Sequence, residues 1–153
     1  MKKIIGIAGW SGSGKTTLVE GLVAIFKNSY NLKVCAIKHA HKNFTIDQEG
    51  KDSYRFSKAG AERVIVSSIN QWTIINKVQE EESIENLLKF TKNFNIILVE
   101  GWKFSKLKKI EVHRSIIKKK VLFEEDKNII AIATDNLNLV APKKLKKLNL
   151  NDH

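Results

Sequence analysis

The chain has 153 residues, a length that fits one globular domain with one sizeable core. Its net charge of +11 comes almost entirely from lysine and favours anionic partners such as nucleotides, nucleic acid or acidic proteins. A compositional bias that leaves only a solvated surface explains the same excess of lysine. The sequence has no stripe of arginines or of alternating aromatic and basic residues that would indicate nucleic-acid binding. One cysteine excludes an intrachain disulfide, and no apolar run approaches the roughly 20 residues of a membrane span. We therefore expect a cytoplasmic protein without a membrane partner.

The first part of the chain has the pattern of a strand, a glycine turn, a helix and a second strand. Residues 4–8 form a short apolar run rich in isoleucine, which predicts a buried strand. Apolar side chains then recur at helical spacing over about 15–28, and residues 34–38 predict the second strand. Such a βαβ unit implies a parallel sheet with a right-handed crossover.

The rest of the chain alternates between strand-like and polar segments. Residues 39–52 predict a long functional loop, followed by a short helix over 53–61 and an antiparallel hairpin over 63–68 and 72–78. A helix is predicted to open at 80–83. Further strands are predicted at 95–99, 110–113, 121–123 and 129–133, and the lysine-rich tail from 141 onward is weakly helical.

These patterns predict an α/β fold, with a mostly parallel central sheet flanked by helices and an antiparallel hairpin as an extension. No internal repeat or linker interrupts the pattern. We therefore predict a single domain over residues 1–153.

The segment that joins the first strand to the first helix carries the clearest functional signal. Gly9, Gly14, Lys15 and Thr16 match the pattern G-x-x-x-x-G-K-[ST] of a phosphate-binding loop. With a strand before it and a helix after it, this loop predicts an α/β P-loop NTPase fold and a single P-loop nucleotide-binding domain over residues 1–153. Its glycines let backbone N–H groups turn inward as an anion cradle, and the following helix adds its positive dipole end. We expect Lys15 to reach the β- and γ-phosphate oxygens and the Thr16 hydroxyl to ligate Mg²⁺.

A P-loop enzyme also needs an acidic group beside the phosphate loop. Glu100 follows the apolar strand at 95–99, and parallel strands end at the ligand crevice, so we expect it near Mg²⁺. A solvated glutamate at a strand end is the alternative. Asp47 and Asp52 lie in the long loop and are candidates to contact Mg²⁺ or orient water, although Asp52 also fits a helix N-cap.

Lys38, His39 and His41 cluster at the end of the second predicted strand. The spacing of the two histidines permits a metal-binding pair, but no cysteine or further histidine supports it. Contact with phosphate or with a partner is the favoured interpretation.

Seven blocks of residues together resemble one known family. They are G-W-S-G-S-G-K-T-T at 9–17, I-K-H-A-H at 37–41, Asp47, G-K-D-S-Y at 50–54, K-A-G-A at 58–61, L-V-E-G-W-K at 98–103 and K-I-E-V-H-R at 109–114. This order is similar to that of the molybdopterin-guanine dinucleotide biosynthesis adaptor protein B (MobB) family, over about residues 4–135.

The resemblance implies a small homodimeric GTP-binding protein with weak GTPase activity. It also implies a role beside the molybdenum cofactor guanylyltransferase, with molybdopterin or its guanine dinucleotide as a further partner. Carried over to matching positions, it implies Lys15, Asp47 and Glu100 as catalytic residues, and Thr16, Asp47 and Glu100 as ligands of Mg²⁺. The residues expected to contact GTP are Gly9, Trp10, Ser11, Gly12, Ser13, Gly14, Lys15, Thr16 and Thr17, with Lys51, Asp52 and Asp135.

Three points stay open from the residues themselves. Asp135 follows a predicted strand and fits either recognition of guanine N1 and N2 or a simple turn, since no N-K-x-D motif is present. No arginine finger is evident within the chain, so we expect slow turnover. The alternatives to a GTPase adapter are an ATP-dependent small-molecule kinase and a nucleotide-gated carrier of an anionic cofactor that needs no hydrolysis.

Overall fold

A computed structural model describes residues 2–40, 44–150 and 152. Two compact units divide the chain, one from residues 1–39 with 88–153 and the other from residues 40–87. Each unit is described by itself below. In chain order the elements are β1 (Lys3–Ala8), α1 (Lys15–Asn28), β2 (Val34–Lys38), α2 (Asp52–Lys58), β3 (Arg63–Ser67), β4 (Trp72–Asn76), α3 (Ile84–Leu87), β5 (Ile96–Glu100), β6 (Lys109–His113), β7 (Ile129–Thr134) and β8 (Lys146–Asn149).

The first unit is built on a six-stranded sheet in the order β2-β5-β1-β6-β7-β8. Every neighbouring pair of strands in it runs parallel, so the predicted parallel sheet is confirmed. The carboxyl ends of the strands therefore lie at one edge of the sheet, where β1 leads into the glycine loop and β5 ends at Glu100. This edge is where ligands bind in sheets of this type.

Helix α1 covers one face of the sheet. Its apolar side chains, spaced at three and four residues, pack against a core that includes Ile7 of β1, Leu98 of β5 and Val112 of β6. Burying each such side chain stabilises the fold by about 1.5–3 kcal/mol relative to leaving it exposed. The helix ends at Asn28, and a left-handed residue shortly after it, Asn31 with φ +49, turns the chain toward β2.

The opposite face of the sheet is packed against irregular segments. Leu122 and Leu145 pack there on Ala8, Ile129 and Ile132. Residues 121–123 were predicted as a strand, and this prediction is wrong because that segment forms a bend and a turn. Its backbone N–H groups donate to a side-chain carboxylate in β6, so they do not pair with another strand.

The prediction that the lysine-rich tail is weakly helical is also wrong. Lys146–Asn149 forms β8, which pairs in parallel with β7 from Ala131 to Thr134. The open edge of β7 offers unpaired backbone groups, and pairing with them outweighs the weak helical tendency of the sequence.

The second unit holds the predicted hairpin. Strands β3 and β4 pair antiparallel from Arg63 opposite Asn76 to Ser67 opposite Trp72, which confirms it. Helix α2 contacts β3 and ends at Lys58, three residues earlier than predicted.

Helix α3 begins at Ile84, later than the predicted start at 80–83. The hydroxyl of Ser83 accepts the N–H of Asn86 at 3.2 Å, so Ser83 caps the helix and sets its start. A 3₁₀ turn over Leu88–Thr91 follows α3 and belongs to the first unit. None of the helices in the described ranges is long and apolar enough to cross a membrane.

Candidate functional site

The glycine loop between β1 and α1 takes a conformation that side chains would prevent. Gly9, Gly12 and Gly14 have φ values of +154°, +78° and +92°. A Cβ on Gly9 would lie 2.5 Å from the carbonyl oxygen of Val112, whereas nothing lies within 4 Å of a Cβ on Gly12. The loop is thus packed tightly against β6 on one side and open at Gly12, as close approach of a ligand to the backbone requires.

Lys15 folds back over the loop. Its Nζ donates to the carbonyl oxygen of Trp10 at 2.9 Å. Burial lowers the pKa of the Lys15 amine, the nearby carboxylate of Glu100 raises it, and the ammonium groups of Lys103 and Lys38 lower it further. Lys15 thus has one carboxylate and two further ammonium groups near enough to affect its charge, an excess of positive charge suited to a polyanion.

Thr16 and Glu100 come together as expected from the sequence. The Thr16 hydroxyl lies 3.2 Å from both carboxylate oxygens of Glu100, which stands at the end of the neighbouring strand β5. Lys38, opposite Glu100 in the β2–β5 register, places its Nζ 3.6 Å from one of the same oxygens. Hydroxyl and carboxylate oxygens are the ligands that Mg²⁺ prefers, so the donor set fits that ion.

The remaining loop residues differ in their exposure. Ser11, Gly12 and Thr17 are exposed, while Ser13 is 1% exposed and its hydroxyl faces Gly9 inside the fold. Any ligand contact of Ser13 would therefore involve its backbone and not its side chain.

His39 and Trp102 form a stacked pair next to Glu100. Their ring centroids are 4.7 Å apart with an interplanar angle of 28°, and the His39 N–H donates to the Glu100 carbonyl at 2.8 Å. Gly101, between Glu100 and Trp102, has a φ of +99°, and a Cβ there would lie under 3 Å from the Cβ of His39. The conceivable metal pair of His39 with His41 is untested, because residue 41 lies outside the described residues.

Asp135 stands at the end of β7 and already has a structural partner. Its Oδ1 accepts the N–H of Ser115 at 2.9 Å. That hydrogen bond lowers the pKa of the Asp135 carboxyl, partly offset by burial, and the charge of Arg114 lowers it further. Asp135 therefore fixes the turn after β6 as an ionised carboxylate, and its recognition of guanine stays a prediction.

Arg114 is a site residue to which the sequence pattern assigned no role of its own. Its guanidinium atoms lie 3.5 and 3.8 Å from the position that a Cβ on Gly14 would take, so the group faces the backbone of the glycine loop. The sequence signals were its place in the block K-I-E-V-H-R at 109–114 and its position directly after β6, a strand that borders β1. An arginine so placed can donate to phosphate oxygens from the side.

The predicted acidic and basic residues of the long loop belong to the second unit. One oxygen of Asp47 accepts from the Ser53 hydroxyl at 2.8 Å and the Gln48 N–H at 3.0 Å. Its other oxygen is buried and has no hydrogen-bond partner in the part of the chain that the structure describes. Such an orphaned oxygen fits a further ligand, although the catalytic and Mg²⁺ roles of Asp47 stay predictions.

Lys51 and Asp52 stand at the start of α2. Lys51 is the N-cap residue and Asp52 is the first helical residue, so the alternative role of Asp52 as an N-cap is wrong. Asp52 is exposed and pairs with Arg55 at 3.4 Å within the same helix. Contact of either residue with a nucleotide stays a prediction.

No group of three or more His, Cys, Asp and Glu side chains converges anywhere in residues 2–40, 44–150 and 152. A cation held here would therefore rely on few protein oxygens, with the remaining ligands from phosphate and water. Mg²⁺ is commonly bound in that way, through one or two protein ligands and substrate phosphates.

Residues 4–135 match the protein family described as Molybdopterin guanine dinucleotide synthesis protein B. The chain is 38% identical over 134 residues to a protein of Haemophilus influenzae named molybdopterin-guanine dinucleotide biosynthesis adapter protein, covering 86% of this chain and 74% of that one. A protein of the same name from Escherichia coli is 35% identical over 144 residues, covering 88% of this chain and 79% of that one.

Solved structures show the same fold. A crystal structure titled molybdopterin-guanine biosynthesis protein B matches with a TM-score of 0.74 at 22% identity, covering 98% of this chain and 90% of that one. Bacillus subtilis MobB matches with a TM-score of 0.74 at 23% identity, covering 97% and 90%. These likenesses confirm the predicted fold class, a P-loop NTPase fold with a mostly parallel sheet and an added hairpin.

Proposed function

The chain belongs to the molybdopterin guanine dinucleotide synthesis protein B family, and we propose that it is a Mg²⁺-dependent GTP-binding adapter in molybdopterin guanine dinucleotide biosynthesis, with slow GTPase activity. The names of its relatives support the adapter role. The glycine loop supports the nucleotide, because its open backbone and the surrounding lysines suit a triphosphate.

One observation carries the nucleotide part of the proposal. The Thr16 hydroxyl, directly after the loop lysine, lies 3.2 Å from the carboxylate of Glu100 on the adjacent strand. This is the pairing of a loop hydroxyl with a strand-end acid that P-loop NTPases use to hold Mg²⁺. When bound, Mg²⁺ would neutralise charge on the β- and γ-phosphate oxygens.

The residues of the chain have distinct parts in this proposal. Lys15 would exchange the carbonyl oxygen of Trp10 for phosphate oxygens, a move that keeps its ammonium hydrogen-bonded throughout. Lys38 neutralises Glu100 at 3.6 Å in the structure, so a cation at Glu100 would compete with it. Glu100 would accept a hydrogen bond from a water near the terminal phosphate and orient it.

The partners follow from the family and are part of the proposal. We expect a homodimer that works with the molybdenum cofactor guanylyltransferase and contacts molybdopterin or its guanine dinucleotide, in the cytoplasm. Turnover by the lone chain should be slow, because an arginine supplied by a partner is a common source of fast GTP hydrolysis.

The test of this proposal is multiple-turnover hydrolysis of GTP in Mg²⁺. We expect a rate below about 1 s⁻¹ for the unmodified protein. Glu100→Gln should lower it by about 100-fold, since it removes the carboxylate and keeps the size of the side chain. The matched control is Glu20→Gln, which changes an exposed glutamate on α1 and should leave the rate unchanged. Equal rates for the two variants would contradict the role of Glu100.

A further inference from the structure

Next to the glycine loop, two lysines converge on one indole ring. The Nζ of Lys103 lies 3.8 Å from the ring centroid of Trp10, and the Nζ of Lys119 lies 5.8 Å from it. The indole N–H of Trp10 donates to the backbone carbonyl of Lys120 at 2.7 Å. We call Trp10, Lys103 and Lys119 the lysine platform.

A buried carboxylate fastens the segment that carries Lys119. The side chain of Glu111 is 0% exposed, and its two carboxylate oxygens accept the N–H groups of Leu122 at 2.7 Å and Phe123 at 3.0 Å. Burying a carboxylate is costly unless it is hydrogen-bonded, and here both oxygens accept hydrogen bonds from one loop. The segment that carries Lys119 is therefore fastened at Lys120 by Trp10 and at 122–123 by Glu111.

The two lysines of the platform have no ion-pairing partner among the described residues. Across the described ranges, the ion pairs that form involve other residues, and no carboxylate lies within ion-pairing distance of Lys103 or Lys119. Lys103 is half-buried, so solvent screens its ammonium less than that of a free surface lysine. Two like charges beside one ring repel each other, and a bound dianion would relieve that repulsion.

We propose that the lysine platform is a second anion-binding subsite, which takes the terminal phosphate of a small phosphorylated ligand beside the glycine loop. A phosphate dianion offers three acceptor oxygens to two ammonium groups, and such charge-assisted hydrogen bonds are strong. The two charges meet at a single ring and do not spread along a stripe of alternating aromatic and basic residues, so a compact phosphate fits better than a nucleic-acid strand. This subsite does not depend on which nucleotide the glycine loop binds.

The indole N–H of Trp10 provides a local reporter for the experiment. We would follow it by ¹⁵N–¹H NMR during titration with inorganic phosphate at a pH where it is dianionic, at constant ionic strength. The titration is run in the unmodified protein and in Lys15→Ala, which weakens anion binding by the glycine loop. Succinate, a dicarboxylate of equal charge, serves as the comparison ligand.

We expect a saturable shift of the Trp10 signal in both proteins, with phosphate binding weakened about tenfold or more by Lys103→Gln with Lys119→Gln. The matched control, Lys27→Gln with Lys33→Gln, removes two exposed lysines near the end of α1 and the start of β2 and should change nothing. Loss of the shift in Lys15→Ala would place the anion in the glycine loop only and overturn the proposal. A non-saturating shift, equal weakening by the control pair, or equal affinity for succinate would also overturn it.

Discussion

Gly101 provides a sharp test of how the site is packed, because two separate effects forbid a side chain there. Its φ of +99 strains any L-residue, at a cost of about 1–3 kcal/mol. A Cβ would also lie under 3 Å from the Cβ of His39, and relieving such overpacking costs about 1–3 kcal/mol. Gly101→Ala should therefore lower the free energy of unfolding by roughly 2–6 kcal/mol.

Gly12→Ala is the matched control for the backbone effect alone. Gly12 has φ +78, and nothing lies within 4 Å of the position of its Cβ, so the expected loss is only about 1–3 kcal/mol. Urea unfolding at constant m-value measures both variants. A third variant combines Gly101→Ala with His39→Gly, which removes the opposing Cβ. This combination should recover the steric part of the lost free energy of unfolding, about 1–3 kcal/mol.

Two results would refute this reasoning. Equal losses for Gly101→Ala and Gly12→Ala would show that the contact with His39 costs nothing. Absence of any coupling between Gly101→Ala and His39→Gly would show that the loss has another origin.

Three further predictions concern buried or neighbouring charges. Burial raises the pKa of the Glu111 carboxyl, so the unfolded chain loses this proton at a lower pH than the native protein does. The free energy of unfolding should therefore fall as pH rises from about 4.3 through the folded pKa. Glu111→Gln should remove that fall, as measured by urea unfolding across pH. Lys109→Met leaves Asp126 without its ammonium partner at 2.8 Å and should lower the free energy of unfolding by about 2–3 kcal/mol. The loss is smaller than for a fully buried pair because Asp126 is 21% exposed. Adding Asp126→Asn should recover part of the loss, and no recovery would contradict the pairing. Arg114→Ala should weaken GTP binding about tenfold in calorimetry with little change in stability, and unchanged affinity would mean that the guanidinium facing Gly14 does not reach the ligand.

The fold near the glycine loop was predictable because its signals are local. The spacing of Gly9, Gly14, Lys15 and Thr16 dictates a turn and a helix start, and a strand must precede it. Glu100 was predictable for a related reason, since an apolar run of strand length followed by an acid places that acid at the carboxyl edge of a parallel sheet.

Features that depend on distant partners were not predictable in the same way. The tail forms β8 only because β7 has an open edge, and residues 121–123 are held in a turn by Glu111 from another element. Lys103 and Arg114 each end a block that resembles the family, but no local pattern assigns either side chain a role. Their positions appear only when the segments they belong to are brought beside the glycine loop. Strong local patterns predict elements, whereas tertiary contacts override weak propensities and decide which charges meet.

Calorimetric titration with GTP, GDP and ATP in Mg²⁺, with Lys15→Ala as the control, tests the central claim most directly. The loop geometry and the Thr16–Glu100 pair predict binding of GTP that Lys15→Ala abolishes while the variant remains folded. The family assignment predicts that ATP binds much more weakly than GTP. Preference for ATP would contradict the guanine assignment and favour a kinase, and binding of none of the three nucleotides would contradict the proposed site itself.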